Sequence, residues 1–404
     1  MRFLYTIGNR LYYLAVLIAS LFDEKAKKWI SGRREAKKVI QKSNDNKNYI
    51  WFHCASLGEF EQARPLIERL KKDYRKNILI TFFSPSGYEM RKNYAFADKV
   101  LYLPLDTPGN AALFLNRFTL ESAFFVKYEF WFNFLAALKQ RNIPTYLLSG
   151  VFRENQLFFK PYGRWFKQQL SAFTTFFLQN ESSKNLLTKN GFTNVIVSGD
   201  TRFDTVWQNK LNAKSNALIE QFKGNEKVII AGSCWEPEED ILIETINGKK
   251  IPNGWKVIFV PHDVSTKHIQ RIIEQLNMPV CLYSKGEMLN DVLIIDTIGE
   301  LANAYQYGDV AFVGGGFTNA LHNILEPAAF GLPVLFGPNH AKYPEADFML
   351  KEGSAFEVSS VDDFNNLMQK MNNDTFLNEQ KQKNARFIEL FKGAVDVVIK
   401  NINV

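Results

Sequence analysis

The chain has 404 residues, of which 46% are hydrophobic and 14% aromatic, including 35 phenylalanines; this excludes disorder and supplies apolar surface for two domains of ordinary size. Its three cysteines, Cys54, Cys234 and Cys281, stand far apart with no CxxC pair, which argues against a disulfide framework or a zinc cluster and points to a reducing compartment. The net charge of +7 favours anionic partners, depending on where it sits.

In chain order, the first predicted element is the apolar run LYYLAVLIASLF at 11–22, followed by Lys25, Lys27, Lys28, Arg33, Arg34, Lys37, Lys38 and Lys42. A spanning helix needs about 20 apolar residues, and Asn9 and Arg10 interrupt this run. The charges follow the run and no small-residue cleavage site is evident, unlike a secretory signal. Residues 1–47 are therefore read as a monotopic anchor with a basic collar, each cation contributing about 1 kcal/mol against anionic headgroups. The competing reading is an ordinary helix packed on the first domain.

From Asn48 onward, short β-rich runs alternate with helical stretches, the pattern of parallel sheets with crossover helices. YIWFHCA, NILITFF, KVLYLPL, SAFFVKY, PTYLLSG, TTFFLQN and NVIVSGD form one series. After a polar stretch from Trp207 to Gly224 come KVIIAGS, WKVIFVPH, PVCLYS, DVLIIDT, DVAFVGG and LPVLFG. The expected fold is α/β, with two doubly wound domains at 48–206 and 207–404, and ligands bound beyond the carboxyl ends of the strands. Neither GxxxxGK[ST] nor an opening GxGxxG occurs, which speaks against an NTPase and a dehydrogenase.

Two loops carry candidate chemistry. In WFHCASLGEF, Ser56 and Glu59 follow the first strand with the spacing of a capping box, so Glu59 either caps a helix or acts as a base. In VAFVGGGFTNALHNILEP, Gly314, Gly315 and Gly316 are read as a phosphate cradle leading into a helix. On that helix His322 and Glu326 lie one turn apart, and the carboxylate suits a ribose. The alternative is glycines needed for tight packing beside an exposed His322–Glu326 pair. A metal reading lacks a third ligand.

Several motifs taken together resemble the 3-deoxy-D-manno-octulosonic acid (Kdo) transferase family of lipid A and lipopolysaccharide biosynthesis. They are SLGE at 56–59, SPSG at 84–87, EFW at 129–131, SGDTRFD at 198–204, DTIGEL at 296–301 and HNILEPAAFGLPVLFGP at 322–338. The resemblance implies a GT-B glycosyltransferase, two Rossmann-like domains facing across a cleft. It implies CMP-Kdo as donor, a lipid A precursor as acceptor, no metal or other cofactor, no nucleic acid, and the cytoplasmic face of the inner membrane. By resemblance, Glu59 deprotonates the acceptor 6-hydroxyl in an inverting transfer, while Arg202 and Lys127 stabilise the transition state. Glu129 organises those cations, and Trp131 belongs to the core. CMP contacts map onto Pro261, His262, Ile298, Gly299, Glu300, Asn323, Ile324, Leu325 and Glu326. Two departures stand out: some relatives carry a glutamate at Lys127, and His262–Asp263 replace an Arg-His pair, exchanging a permanent cation for one that titrates near neutrality.

Overall fold

A computed structural model describes residues 1–44, 46–286, 290–318 and 320–403. The chain divides into two units, Met1–Thr205 with Lys392–Val404, and Val206–Phe391. The C-terminal segment thus belongs to the first unit, although no break in the sequence pattern marks it.

The first unit is built on β1 (Asn48–Cys54), β2 (Asn77–Phe82), β3 (Lys99–Tyr102), β4 (Thr119–Val126), β5 (Thr145–Gly150), β6 (Thr175–Leu178) and β7 (Val195–Val197), all paired parallel in the order β3-β2-β1-β4-β5-β6-β7. Helices cover both faces of such a sheet, so its strands read as continuous apolar runs. Trp51, Phe52, Phe124 and Phe125 are fully buried, and Phe52 stacks on Phe124 at 4.8 Å. Winding reverses between β1 and β4, which places the loops after those two strands at the switch point where open sheets bind ligands.

Two helices, α1 (Arg2–Ala19) and α2 (Glu24–Lys42), precede the sheet. Polar bonds fasten the start of α1: Tyr5 Oη donates to Asp106 Oδ2 at 2.7 Å, and Arg2 Nε donates to Asn133 Oδ1 at 2.9 Å. Asp106 also accepts the amides of Asn133 and Phe134 at 3.1 and 3.0 Å. Farther along, α1 leaves Leu11, Leu14 and Ile18 more than half exposed. No helix among the described residues is long and apolar enough to cross a membrane. The basic collar is not uniformly external: Arg33 is buried, with its guanidinium 3.5 Å from the Trp29 ring and donating to Phe83 O at 2.9 Å. Burial pushes its pKa down to about 9, because charge is disfavoured in an apolar setting.

Asp204 accepts the Gly393 amide at 2.9 Å, tying the returning C-terminal segment into this unit. Burial raises its pKa from 3.8 to about 6, against the lowering effect of the amides of Gly393, Val395 and Ala394. A raised folded-state pKa means that the native protein holds more protons than the unfolded chain between those two values. Its stabilising contribution is full below pH 3.8 and is lost as pH rises through about 6. Asp204→Asn should flatten that part of the stability profile, by up to about 3 kcal/mol, in denaturant melts across the window; an unchanged profile would contradict this.

The second unit contains β8 (Lys227–Cys234), β9 (Trp255–Pro261), β10 (Cys281–Leu282), β11 (Val292–Ile294), β12 (Val310–Val313), β13 (Val334–Phe336) and β14 (Ala355–Glu357), again all parallel, in the order β10-β11-β9-β8-β12-β13-β14. Six of these match the predicted runs. The seventh, β14, escapes sequence reading because it is a three-residue edge strand in a polar context, with only Ala355 buried. The switch point lies between β8 and β12.

Candidate active site

In the first unit, β1 delivers Ser56 in extended backbone to the start of helix α3 (Leu57–Tyr74), where Glu59 occupies the third helical position. Ser56 donates to Glu59 Oε2 twice, from its backbone N–H at 3.0 Å and from its hydroxyl. Glu59 Oε1 carries no hydrogen bond among the described residues, and the side chain is half-buried. One oxygen caps the helix while the other stays available, so capping and proton transfer do not compete for the same atom.

Across the switch point, the loop after β4 holds Lys127 in the left-handed region, φ 63°, a backbone state that costs a non-glycine residue of order 1 kcal/mol and clusters at functional sites. Two residues on, Glu129 Oε2 accepts the Trp131 indole N–H at 2.6 Å and lies 3.1 Å from His53 Nε2. His53 is buried in β1, with Nδ1 2.9 Å from Thr81 Oγ1. Trp131 stacks on Phe83 at 4.9 Å, so its ring packs as expected while its N–H orients a carboxylate. Sequence reading missed His53; its signal was a titratable residue inside an otherwise apolar strand. Arg202, in the helix Thr201–Leu211, folds back on Asp200, with Nε and one terminal nitrogen 2.8 and 2.7 Å from Asp200 Oδ2.

In the second unit, the loops after β8, β9 and β12 meet at the carboxyl edge of the sheet. His262, exposed just beyond Pro261, stacks against Trp235 at 4.2 Å and lies 4.8 Å from the His322 ring at a tilt of 34°. Burial pushes the His322 pKa down, and the neighbouring His262 adds to the effect.

The glycine run departs from the cradle reading. Phe317 N–H donates to Glu238 Oε1 at 3.4 Å, the Gly315 amide also bonds Glu238, and Trp235 N–H donates to Oε2 at 3.1 Å. A protein carboxylate therefore occupies the place beside the Gly315 and Phe317 amides that the sequence reading assigned to a phosphate. Glu238 is fully buried, and burial raises its pKa against those amide bonds. The glycines are also needed for packing: a Cβ on Gly315, at φ 86°, would lie 2.1 Å from Ala320 O, and one on Gly316 would lie 2.3 Å from Gly337 N.

The helix expected to carry both His322 and Glu326 begins only at Leu325 (Leu325–Ala329). His322 therefore sits in the preceding loop, and the one-turn spacing does not apply. Glu326 instead accepts from Asn323 Nδ2 at 3.1 Å, while Asn323 Oδ1 accepts the Leu325 amide at 3.1 Å. After β11, Ile298 is 88% exposed and Gly299 has φ 101°. Glu300 Oε2 lies 3.3 Å from Asn216 Nδ2. Among the described residues no group of three or more His, Cys, Asp or Glu side chains is arranged to hold a metal ion.

Residues 31–205 match the family model described as 3-Deoxy-D-manno-octulosonic-acid transferase (kdotransferase). A bifunctional glycosyltransferase/methyltransferase of Fusobacterium nucleatum is 27% identical over 95% of this chain, which spans 61% of that relative's length. A 3-deoxy-D-manno-octulosonic acid transferase of Aquifex aeolicus is 29% identical, over 78% of this chain and 83% of its own. Among solved structures, the UDP-GlcNAc 2-epimerase of Neisseria meningitidis superposes with a TM-score of 0.62, over 87% of this chain and 98% of that one, at 16% identity. At that identity the likeness shows the GT-B-like fold and nothing of the reaction.

Proposed function

We propose, from the match of residues 31–205 to the 3-deoxy-D-manno-octulosonic-acid transferase model and the similarity to the Aquifex aeolicus transferase, that the chain is a glycosyltransferase of that family that moves Kdo from CMP-Kdo to the 6-hydroxyl of a lipid A precursor. The observation that carries the residue assignment is Glu59: it stands at the switch point of the first sheet with one oxygen held by Ser56 and the other without a hydrogen bond among the described residues. A sugar hydroxyl is a weak nucleophile, and a carboxylate within hydrogen-bond reach accelerates its attack. The acceptor oxygen forms a bond to the anomeric carbon as the bond from that carbon to the CMP phosphate oxygen breaks. Glu59 takes the hydroxyl proton, and CMP departs with the electron pair. Attack opposite the leaving group inverts the configuration.

Arg202 and Lys127 supply fixed positive charge for the leaving phosphate and the Kdo carboxylate, a role for preorganised cations. Pro261, His262, the loop 298–300 and Asn323 to Glu326 contact the nucleotide. His53 and Trp131 hold Glu129 in a single orientation beside Lys127. Incubating the purified protein with CMP-Kdo and a lipid A precursor, with UDP-N-acetylglucosamine as control donor, should yield a Kdo-bearing lipid by mass analysis from CMP-Kdo alone; product from the control donor alone would overturn the reading.

The acceptor lies in a membrane, and the exposed apolar face of α1 beside the cationic α2 supports engagement of the cytoplasmic face of the inner membrane. An open groove of about 1000 Å³ between the two helices is walled by Leu17, Ile18, Leu21 and Ile30 and edged by Lys27 and Arg34. Leu14→Glu combined with Ile18→Glu should weaken binding to anionic vesicles at least about tenfold, through lost apolar burial and added repulsion. Thermal stability should hold, because both side chains are exposed. Undiminished sedimentation with vesicles would remove α1 from that role.

A further inference from the structure

The Trp235–His262–His322 column is assembled from three different loops at the carboxyl edge of the second sheet, those after β8, β9 and β12. These flank the topological switch point, where open α/β sheets place their ligands. Its outer member, His262, is exposed, whereas His322 is half-buried and its Nε2 is buried with no hydrogen-bond partner among the described residues. Two imidazoles 4.8 Å apart repel one another when both are charged, so the pair does not accept two protons together.

We propose that His262 and His322, stacked on Trp235, act as one proton-accepting site for a phosphate: binding of the anion draws a single proton onto the pair. The inference rests on the nucleotide-donor reading and adds to it a proton linkage that a fixed cation at the same place would not produce. Burial disfavours the charged form of His322, whereas His262 is the exposed member of the pair. The carboxylates around the column come from each packed element. Glu238 faces the glycine-loop amides, Glu239 is paired with His268 and Arg271, Asp263 accepts from Ser265, and Glu326 accepts from Asn323. Each has donors of its own, and Asp263, adjacent to His262, favours its protonated form. The buried Cys234 thiol, raised by its burial, stays neutral. An arriving phosphate adds negative charge beside the imidazole pair, and linkage then requires binding and protonation to strengthen each other.

The test uses the full-length protein and cytidine 5′-phosphate methyl ester, whose phosphate keeps one fixed charge near neutrality, so that any proton taken up goes to the protein. Calorimetry in two buffers of different ionisation enthalpy, from about pH 6 to pH 8, should show uptake approaching one proton. Affinity should fall with rising pH, by up to about tenfold per unit, the limit for one linked proton. Cytidine, lacking the phosphate, should show no such linkage. His262→Arg should bind the ester with pH-independent affinity and no uptake, and His322→Asn should reduce the uptake while leaving binding measurable. Wild-type affinity that is flat with pH, without uptake, overturns the inference and leaves the donor reading standing. Failure to bind the ester at any pH strikes the donor reading itself and removes this inference with it.

Discussion

Glu59→Gln is expected to lower the rate of sugar transfer about 100- to 10,000-fold, the range for removing a positioned general base, while CMP binding and thermal stability stay near those of the wild type. Glutamine also serves at the third position of a capping box, so the bond from the Ser56 amide to the side chain has an acceptor in both proteins. The substitution therefore separates the capping observed for Glu59 from the proton transfer proposed for it. Glu59→Ala removes both and should additionally cost about 1 kcal/mol of helix capping. Single-turnover transfer, calorimetric CMP binding and a thermal melt on the three proteins distinguish these effects. Turnover of the glutamine variant within a few-fold of the wild type, with its melting point preserved, would leave Glu59 as a cap alone.

Glu238→Ala should destabilise the second unit by about 3 kcal/mol and weaken nucleotide binding at the same time. The carboxylate is the acceptor for the amides of Trp235, Gly315 and Phe317, and each buried donor left without a partner costs about 1–3 kcal/mol, less than additively when neighbours relax together. No other side chain is placed to accept these amides among the described residues. Relaxation of the 314–317 turn would also move the loop leading to His322, whose amide bonds Gly314 O at 3.0 Å, and with it the ring stacked on His262. The readouts are the denaturant midpoint and the CMP dissociation constant. An unaltered midpoint would mean that the turn holds its shape without the buried carboxylate.

The same residue shows where sequence reasoning reached its limit. GGG after a buried strand has two physical uses, cradling an anion and permitting close backbone approach, and composition does not separate them. Glu238 lies 77 residues earlier in the chain than Gly315, whose amide it accepts, in the stretch that follows KVIIAGS. Nothing local in either stretch pairs them. The carboxylate that meets the glycine amides belongs to the protein, and that fact exists only once β8 and β12 are neighbours.

By itself the sequence determined what depends on near neighbours along the chain. The parallel α/β class followed from apolar runs alternating with helical stretches, because a strand covered on both faces must be apolar throughout. The Ser56–Glu59 capping pattern followed from a spacing of three residues, and the resemblance to the Kdo transferase family from motifs spread along the whole length. Tertiary structure decided what depends on residues far apart. It buried Arg33 of the basic collar against Phe83, set His53 against Glu129 across β1 and β4, and started the helix after the glycines too late to carry His322. It also stacked rings from three loops into one column. Local pattern records the secondary structure a segment prefers and which face it buries. The partner that a polar group finds is set by strand order and register, and those are properties of the folded sheet.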